Sequence, residues 1–442
     1  MTLRGPRGAC IAGALVLGLA VAPAAPVWGA PAAEMPAATT LPAPVLPVLT
    51  PASGAVNDAT IAARMRAVKT DKLPDIGAVV LDGTGRVVYQ SKNTPKVPAS
   101  TMKVLTSLVA LDVLGPDSRF ETKVVQGASP SQIVLVGGGD PLMTSTAAQR
   151  PGGSSMEALA ARTAAALAQQ KVTSVTLQLD ATLFGGPAWE ADWPDRFKWS
   201  VAPITALKVD HALATPGSLN RDVSPNAHAG RVFAAQLAAR GIKVTATAYG
   251  KAPADAPKLA GVSSLPVAAI VEETLAQSDN DAAETLAWQL ALKRGQPANF
   301  DTSRDVLTAE LKARGLFDEG MVIDDGNGIS PKNRVTPGAL ARAIRQGIET
   351  PTLRNLLTGL PVAGATGTLA GRFAAPTAAA ARGKVRAKTG SITGVDSLAG
   401  YVVSNDGHVF SYAFVLNGTP TPAKGRAWID DASAVLAACG CS

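Results

Sequence analysis

The sequence predicts a mixed α/β fold of the α+β kind, in which an antiparallel sheet packs with helices and the domain is split by an insertion. Two observations carry this. Hairpin patterns stand near both ends of the chain, around residues 76–90 and 385–416, with helical patterns flanked by them. The chain is also long, at 442 residues, with 47% hydrophobic and only 17% charged residues, enough to build a core for two or three domains.

The elements follow in order. Residues 1–32 read as an export signal, with Arg4 and Arg7 before the apolar run Ile11–Val21 and a small-residue cleavage site at Ala30-Pro31-Ala32. An uncleaved anchor is the alternative, and Pro23 and Pro26 argue against a clean spanning helix. Residues 33–54, rich in Pro and Ala, form an extended spacer. A helix over Asp58–Val68 precedes strands at Ile76–Leu81 and Val87–Gln90, joined by the turn Asp82-Gly83-Thr84-Gly85. An apolar helix then runs through Val104, Leu105, Leu108, Val109, Leu111 and Val113, closed by Gly115-Pro116. Strands are expected at Thr122–Val125, Gln132–Val136, Val175–Leu179 and Lys243–Ala248, with helices at Met156–Gln170 and Arg231–Arg240. Gly185–Asn226 has no regular period and is rich in Pro and Trp. Helical patterns flank Ser278-Asp279-Asn280 from Val267 to Arg294, and Asp324–Gly328 is a turn before a helix at Thr336–Ile348. The chain closes with strands at Val385–Lys388, Leu398–Val403 and Val409–Leu416, then a helix at Ala427–Ala438.

Charge and composition narrow the function. The net charge of +7 falls to +5 without the two leader arginines, no dense Lys/Arg run occurs, and only 4% of residues are aromatic, a poor pattern for nucleic acid. His211, His228 and His408 fall in no ligand spacing and read as loop or surface residues, so no metal site and no cofactor is expected. Of the three cysteines, Cys10 lies in the leader. Cys439 and Cys441 form a tail pair that reads as a disulfide, a metal clip or two free thiols.

The chemistry gathers around Ser100 and Lys103. Three residues apart at the start of a helix, they lie on one face, where the lysine amine reaches the serine hydroxyl. Alone the pair is weak, since roughly one or two Ser-x-x-Lys matches arise by chance in such a chain and a serine there is an ordinary cap. Lys388-Thr389-Gly390-Ser391 adds weight. It occurs once, at the end of a predicted strand, where a glycine lets a substrate backbone lie close and a lysine with hydroxyls suits a carboxylate. Ser278-Asp279-Asn280 is chosen over the Ser-x-Asn at Ser91, Ser218 and Ser224 because it joins two helices.

These three motifs, in this order, resemble the signature of serine penicillin-recognising enzymes. Further segments resemble the D-alanyl-D-alanine carboxypeptidase/endopeptidase branch, the class C low-molecular-mass penicillin-binding proteins. They are Leu135–Pro141, Asp325–Ser330, Leu360–Gly364 with Gly367–Leu369, and Val395–Tyr401. The resemblance spans nearly everything from Val56 onward. It implies a transpeptidase/β-lactamase-like domain at 55–120 and 262–442, interrupted by an inserted unit at 121–261, with the family's third domain reduced or absent. The separation of 178 positions from Ser100 to Ser278 agrees with an insertion.

The resemblance also implies roles. Ser100 is the nucleophile, Lys103 its base, Ser278 the proton relay, and Asn280 the holder of Lys103 and the substrate amide. Lys388 and Thr389 attract the terminal carboxylate, Gly390 lets the substrate backbone lie close, and the N–H groups of Ser100 and Ser391 form an oxyanion hole. Asp180 and Arg372 are expected to line a pocket for a zwitterionic stem-peptide side chain, structural salt bridges being the alternative. The implied partners are peptidoglycan peptides ending in D-Ala-D-Ala and β-lactam inhibitors, met by an exported protein with peripheral or no membrane association. A β-lactamase or esterase of the same fold is the nearest rival, although none of the four tyrosines is followed by x-Asn. A silent wall-binding protein is the other, and the intact triple of motifs argues against it.

Overall fold

The computed structural model describes residues 56–69, 73, 75–215, 218 and 220–441, so the signal and spacer expected at 1–54 lie outside the described residues. The helices are α1 Asp58–Ala67, α2 Met102–Leu114, α3 Met156–Gln169, α4 Pro225–Ala238, α5 Val267–Gln277, α6 Asn280–Lys293, α7 Phe300–Ala313, α8 Pro337–Glu349, α9 Asn355–Thr358 and α10 Pro422–Ala437. The strands are β1 Asp75–Leu81, β2 Val87–Ser91, β3 Glu121–Gln126, β4 Gln132–Val136, β5 Ser174–Asp180, β6 Lys243–Tyr249, β7 Lys258–Ser263, β8 Arg386–Ile392, β9 Val395–Val403 and β10 Val409–Asn417.

The terminal hairpins meet in one antiparallel sheet of order β2-β1-β10-β9-β8, with Ala78 opposite Phe414 and Gly390 opposite Ser397. Its central strands are apolar on both faces, because both faces are covered. Val79, Leu81, Ala413 and Val415 join a core with α2, α5, α6 and α8. The alternate residues Ala78, Val80, Tyr412 and Phe414 join a second core with α1 and α10. The first core explains the composition of α2: a helix buried everywhere but at Asp112 and Val113 has little polar face to keep. The Cys439–Cys441 pair is a disulfide in the second core, and the Asn57 N–H donates to the Cys441 carbonyl.

A second sheet, order β6-β5-β4-β3-β7, takes its strands from residues 121–263. β4, β5 and β6 run parallel and β3 pairs antiparallel on both sides, with α3 and α4 closing a third core. The irregular Pro- and Trp-rich stretch is an aromatic anchor. Phe184 and Trp193 pack edge-on against Trp288 and Phe300, ring centroids 5.2 Å apart in both pairs. This seats residues 184–206 on α6 and α7.

Several boundaries differ from the sequence expectation. α7 and β7 were not expected: α7 is charge-rich outside its buried stripe Phe300, Leu307 and Leu311, and β7 is short and contains a glycine. α4 and α10 start six and five residues early, at Pro225 and Pro422, since proline is tolerated in a helix's first turn. β8 runs on through Lys388-Thr389-Gly390-Ser391 to Ile392 and forms the sheet edge. Among the described residues no helix is long and apolar enough to cross a membrane.

Candidate active site

Ser100 sits in a single 3-10 turn, Ala99–Thr101, that feeds straight into α2. Ala99 before it has φ +48°, a left-handed conformation that a residue with a Cβ adopts only under constraint. The constraint is close packing. A Cβ on Gly328 would stand 2.0 Å from the Ala99 carbonyl oxygen, so only glycine lets the two backbones meet there. The turn is also tied to the sheet, because Ser397 Oγ and Thr101 Oγ1 donate to the Pro98 carbonyl at 2.6 and 2.7 Å.

Lys103, one turn into α2, is fully buried. Its Nζ lies 2.9 Å from Ser100 Oγ, 2.7 Å from Asn280 Oδ1 and 2.6 Å from the Asn327 carbonyl oxygen. An ammonium donates to all three. A neutral amine spends its two N–H bonds on Asn280 and Asn327, leaving its lone pair for the Ser100 hydroxyl. Burial lowers the Lys103 pKa to about 8, while the carboxyls of Asp325, Asp279 and Glu284 pull the other way. Lys388 is also fully buried, its Nζ donating to the Thr389 carbonyl at 2.7 Å. Burial, then the charge of Lys103, hold it well below the usual lysine range. The chief cause of the Lys103 shift is thus desolvation rather than the neighbouring lysine.

Ser278 and Asn280 come from the junction of α5 and α6. Ser278 closes α5 in the left-handed conformation (φ 60°), and Asp279 caps α6 by accepting from the Ala282 N–H at 3.0 Å. The amide of Asn280 is oriented at both ends: Nδ2 donates to the Ser200 carbonyl at 3.1 Å while Oδ1 faces Lys103. Ser278 lines two cavities, of about 840 and 550 Å³, that both also touch Ser100 and Ser391. Edge strand β8 closes the other side. Thr389 Oγ1 donates to Thr368 Oγ1 at 2.8 Å, and Ser391 Oγ donates to Asp396 and accepts from Arg426 at 3.0 and 3.2 Å.

Of the ten residues singled out from the sequence, the geometry gathers nine and leaves Asp180 aside. Arg372 lines the larger cavity with Ser100, its guanidinium paired to Asp430 at 2.5 Å. Asp180 ends β5 and spends its carboxylate on the chain around it. It accepts from the Thr182 N–H and hydroxyl and from the Ala252 N–H, at 2.9, 2.7 and 2.7 Å. It lines neither cavity that Ser100 touches, so its expected place in the pocket is corrected. The opposite charges beside Arg372 are Asp430 and Asp431, which line the same cavity.

The residues that sequence reasoning missed are mainly in the stretch without a period. Phe197, Trp199, Ser200, His211 and Arg221 line the smaller cavity with Ser100. His211 is more than a loop histidine: its Nδ1 stands 3.2 Å from Asp279 Oδ2. Burial works against the charged form of Asp279, yet the facing His211, the Ala282 N–H, Lys208 and Arg221 keep its carboxyl below the usual range. His211, Asp279 and Asp281 place three potential ligand atoms within 4.8 Å. Lys208, 2.5 Å from Asp281, and Arg221, at 3.8 Å, already supply positive charge there. The Asn327 carbonyl was also missed, since a backbone oxygen leaves no mark in a sequence beyond the turn that carries it.

Known proteins resemble this chain in sequence and in fold. The profile of the D-Ala-D-Ala carboxypeptidase 3 (S13) family matches residues 67–221 and 213–438. A carboxypeptidase of Mycobacterium tuberculosis is 34% identical over 420 residues, covering 91% of this chain and 89% of its own. The D-alanyl-D-alanine carboxypeptidase of an Actinomadura species is 28% identical, covering 78% of each chain. The crystal structure of penicillin binding protein 4 from Haemophilus influenzae shares the fold, with a TM-score of 0.70 at 20% identity, over 86% of this chain and 98% of that one. The chain belongs to the D-Ala-D-Ala carboxypeptidase 3 (S13) family, and it is a serine-type carboxypeptidase of that family.

Proposed function

We propose that the protein trims peptidoglycan stem peptides ending in D-Ala-D-Ala through an acyl-enzyme on Ser100, and that β-lactams acylate the same hydroxyl. The observation that carries this reading is the single contact set of Lys103 Nζ with Ser100 Oγ, Asn280 Oδ1 and the Asn327 carbonyl. Neutral Lys103 takes the Ser100 proton as Oγ attacks the carbonyl of the penultimate D-Ala. The N–H groups of Ser100 and Ser391 receive the oxyanion, at about 3 kcal/mol per donor. Ser278 passes the proton to the departing amine, the bond to the last D-Ala breaks, and water then cleaves the ester. Asn280 orients Lys103 and the substrate amide. Thr389 and Gly390, with the field of buried Lys388, hold the terminal carboxylate, and Arg372 with Asp430 offers charge to a stem-peptide side chain. No cofactor or metal takes part in these steps. When the departing amine belongs to a neighbouring peptide, the same steps make a D,D-endopeptidase.

The N-terminal pattern and this substrate together support export to the cell wall, with residues 121–261 as the inserted unit beside the catalytic domain. The test is to incubate pure protein with a pentapeptide and with cross-linked dimers and weigh the products. Loss of one alanine from the pentapeptide is the expected result, and intact substrates in both incubations sink the proposal.

Two consequences follow from the geometry. With Lys103 titrating near 8, the acylation rate is expected to rise about tenfold per pH unit up to roughly pH 8 and then level off. Penicillin acylation rates from pH 5.5 to 9.5 check this, and a flat profile contradicts it. Gly390→Ala is expected to slow acylation by about 10²-fold. The new Cβ would stand 2.8 Å from the Pro98 carbonyl and 3.0 Å from the Ser100 nitrogen, backbone atoms that move only if the nucleophile turn moves. Acylation rate and circular dichroism, measured together, separate this from unfolding.

A further inference from the structure

Behind Lys103 lies a buried carboxyl that the reaction does not use. Glu284 is 1% exposed and sits one helical turn beyond Asn280 on α6, so the two side chains share a face. Asn280 reaches Lys103 directly. Glu284 Oε2 accepts from the Gly326 N–H at 2.9 Å, and the next residue, Asn327, gives its carbonyl to Lys103 Nζ at 2.6 Å.

The Gly326 peptide is held from both sides. Thr106 Oγ1, on the same helix as Lys103, donates to the Gly326 carbonyl at 2.6 Å. The loop lies so close to α6 that a Cβ on Gly326 would stand 2.7 Å from Ala287 Cβ. Both α2 and α6 therefore grip one backbone segment whose next carbonyl points at the lysine. We propose that Glu284 is a positioning residue for Lys103: its carboxyl holds Gly326 so that the Asn327 carbonyl engages one Nζ hydrogen and the amine lone pair stays on Ser100.

The surroundings favour the neutral form. Burial, then the neighbouring Asp325, raise the Glu284 carboxyl well above its usual range. The Asp325 carboxylate meanwhile accepts from the Gly328 and Ser330 N–H groups, Asn333 Nδ2 and Trp193 Nε1, at 2.7 to 2.8 Å. One of the two buried acids thus has the donors a charge needs. The other charged or titratable groups around this spot are Asp279, Glu190, Lys103 and Lys388.

This inference rests on the reading of Lys103 as the base, and its test separates the two. Penicillin acylation rates of the parent, E284Q, E284A and T106V are measured from pH 6 to 9.5, with melting temperatures alongside. An unlabelled, folded parent removes the underlying reading. With an active parent, E284A is expected to acylate about 10- to 100-fold more slowly. E284Q, whose amide oxygen still accepts from Gly326, recovers most of that loss. T106V, which frees the carbonyl of the same residue, is expected to lose about 3- to 10-fold. Parental rates in whichever of E284A and T106V folds overturn the proposal. A merely structural role lowers the melting temperature and leaves the rate per folded molecule unchanged.

Discussion

Ser100→Ala is expected to leave a folded protein that takes up no fluorescent penicillin and releases no D-alanine, a loss of at least about 10⁴-fold in rate. Ser100 Oγ is the hydroxyl that meets both Lys103 Nζ and the two cavities. No other serine or threonine hydroxyl is within hydrogen-bond reach of that amine among the described residues. Removing one partly buried oxygen costs little stability, roughly 1 kcal/mol or less, so melting temperature and activity part company. Retained labelling in the alanine variant would falsify the assignment of the nucleophile.

Lys103→Met is expected to have the second largest effect. Acylation falls by about 10³- to 10⁴-fold, because the general base is lost while the nucleophile stays. Stability responds differently. Methionine fills much the same volume without a buried charge, which is favourable. It also leaves Asn280 Oδ1 and the Asn327 carbonyl without a donor, at about 1–3 kcal/mol each. The sign of the pH dependence is definite. In the fold Lys103 titrates near 8, and in the unfolded chain at its ordinary 10.5. Between those values the unfolded chain binds the extra proton, so this lysine makes stability rise with pH, by up to about 1.4 kcal/mol per unit. Below pH 8 both states are protonated and its contribution is flat. The methionine variant should lack that rise. Denaturant unfolding of the two proteins at pH 7.5 and 10 tests it, and equal slopes would count against a depressed lysine.

Much of this molecule could be read from its residues. The apolar strand runs near both termini have to pair because each is too hydrophobic to leave either face wet, and they meet as β1 and β10. The continuous apolar run of α2 announces a buried helix, and Ser100 and Lys103 at its start need only helical geometry to meet. Ser278-Asp279-Asn280 was legible as a helix junction because helical patterns flank it, and Asp279 caps the second helix. The turn Asp325-Gly326-Asn327-Gly328 was legible as a turn, though not as the source of a carbonyl for Lys103.

Other features were beyond a one-dimensional reading. Residues 184–206 follow neither the strand nor the helix period, because Trp193 and Phe184 pack into a mixed cluster with α6 and α7 instead of lying on one face of an element. Their consequences for the site, Ser200 on the Asn280 amide and Lys208 on Asp281, depend on residues 80 and 73 positions apart in the chain. Asp180 shows the converse error. An acid at a strand end looks available to a ligand, yet Thr182 two residues on and Ala252, just past the neighbouring strand β6, use its oxygens.

The order of residues alone establishes that a serine and a lysine share a helix face, that a second lysine with glycine lies on a strand, and that the sheet is assembled from both ends of the chain. These follow from local periodicity, which needs no partner. Only the tertiary structure decided that Lys103 is enclosed on every side, with its pKa lowered to about 8 by burial, and that a backbone carbonyl and a distant asparagine fix its nitrogen. Desolvation and hydrogen-bond geometry are properties of everything packed around a group, and for Lys103 that packing comes from residues more than 170 positions away.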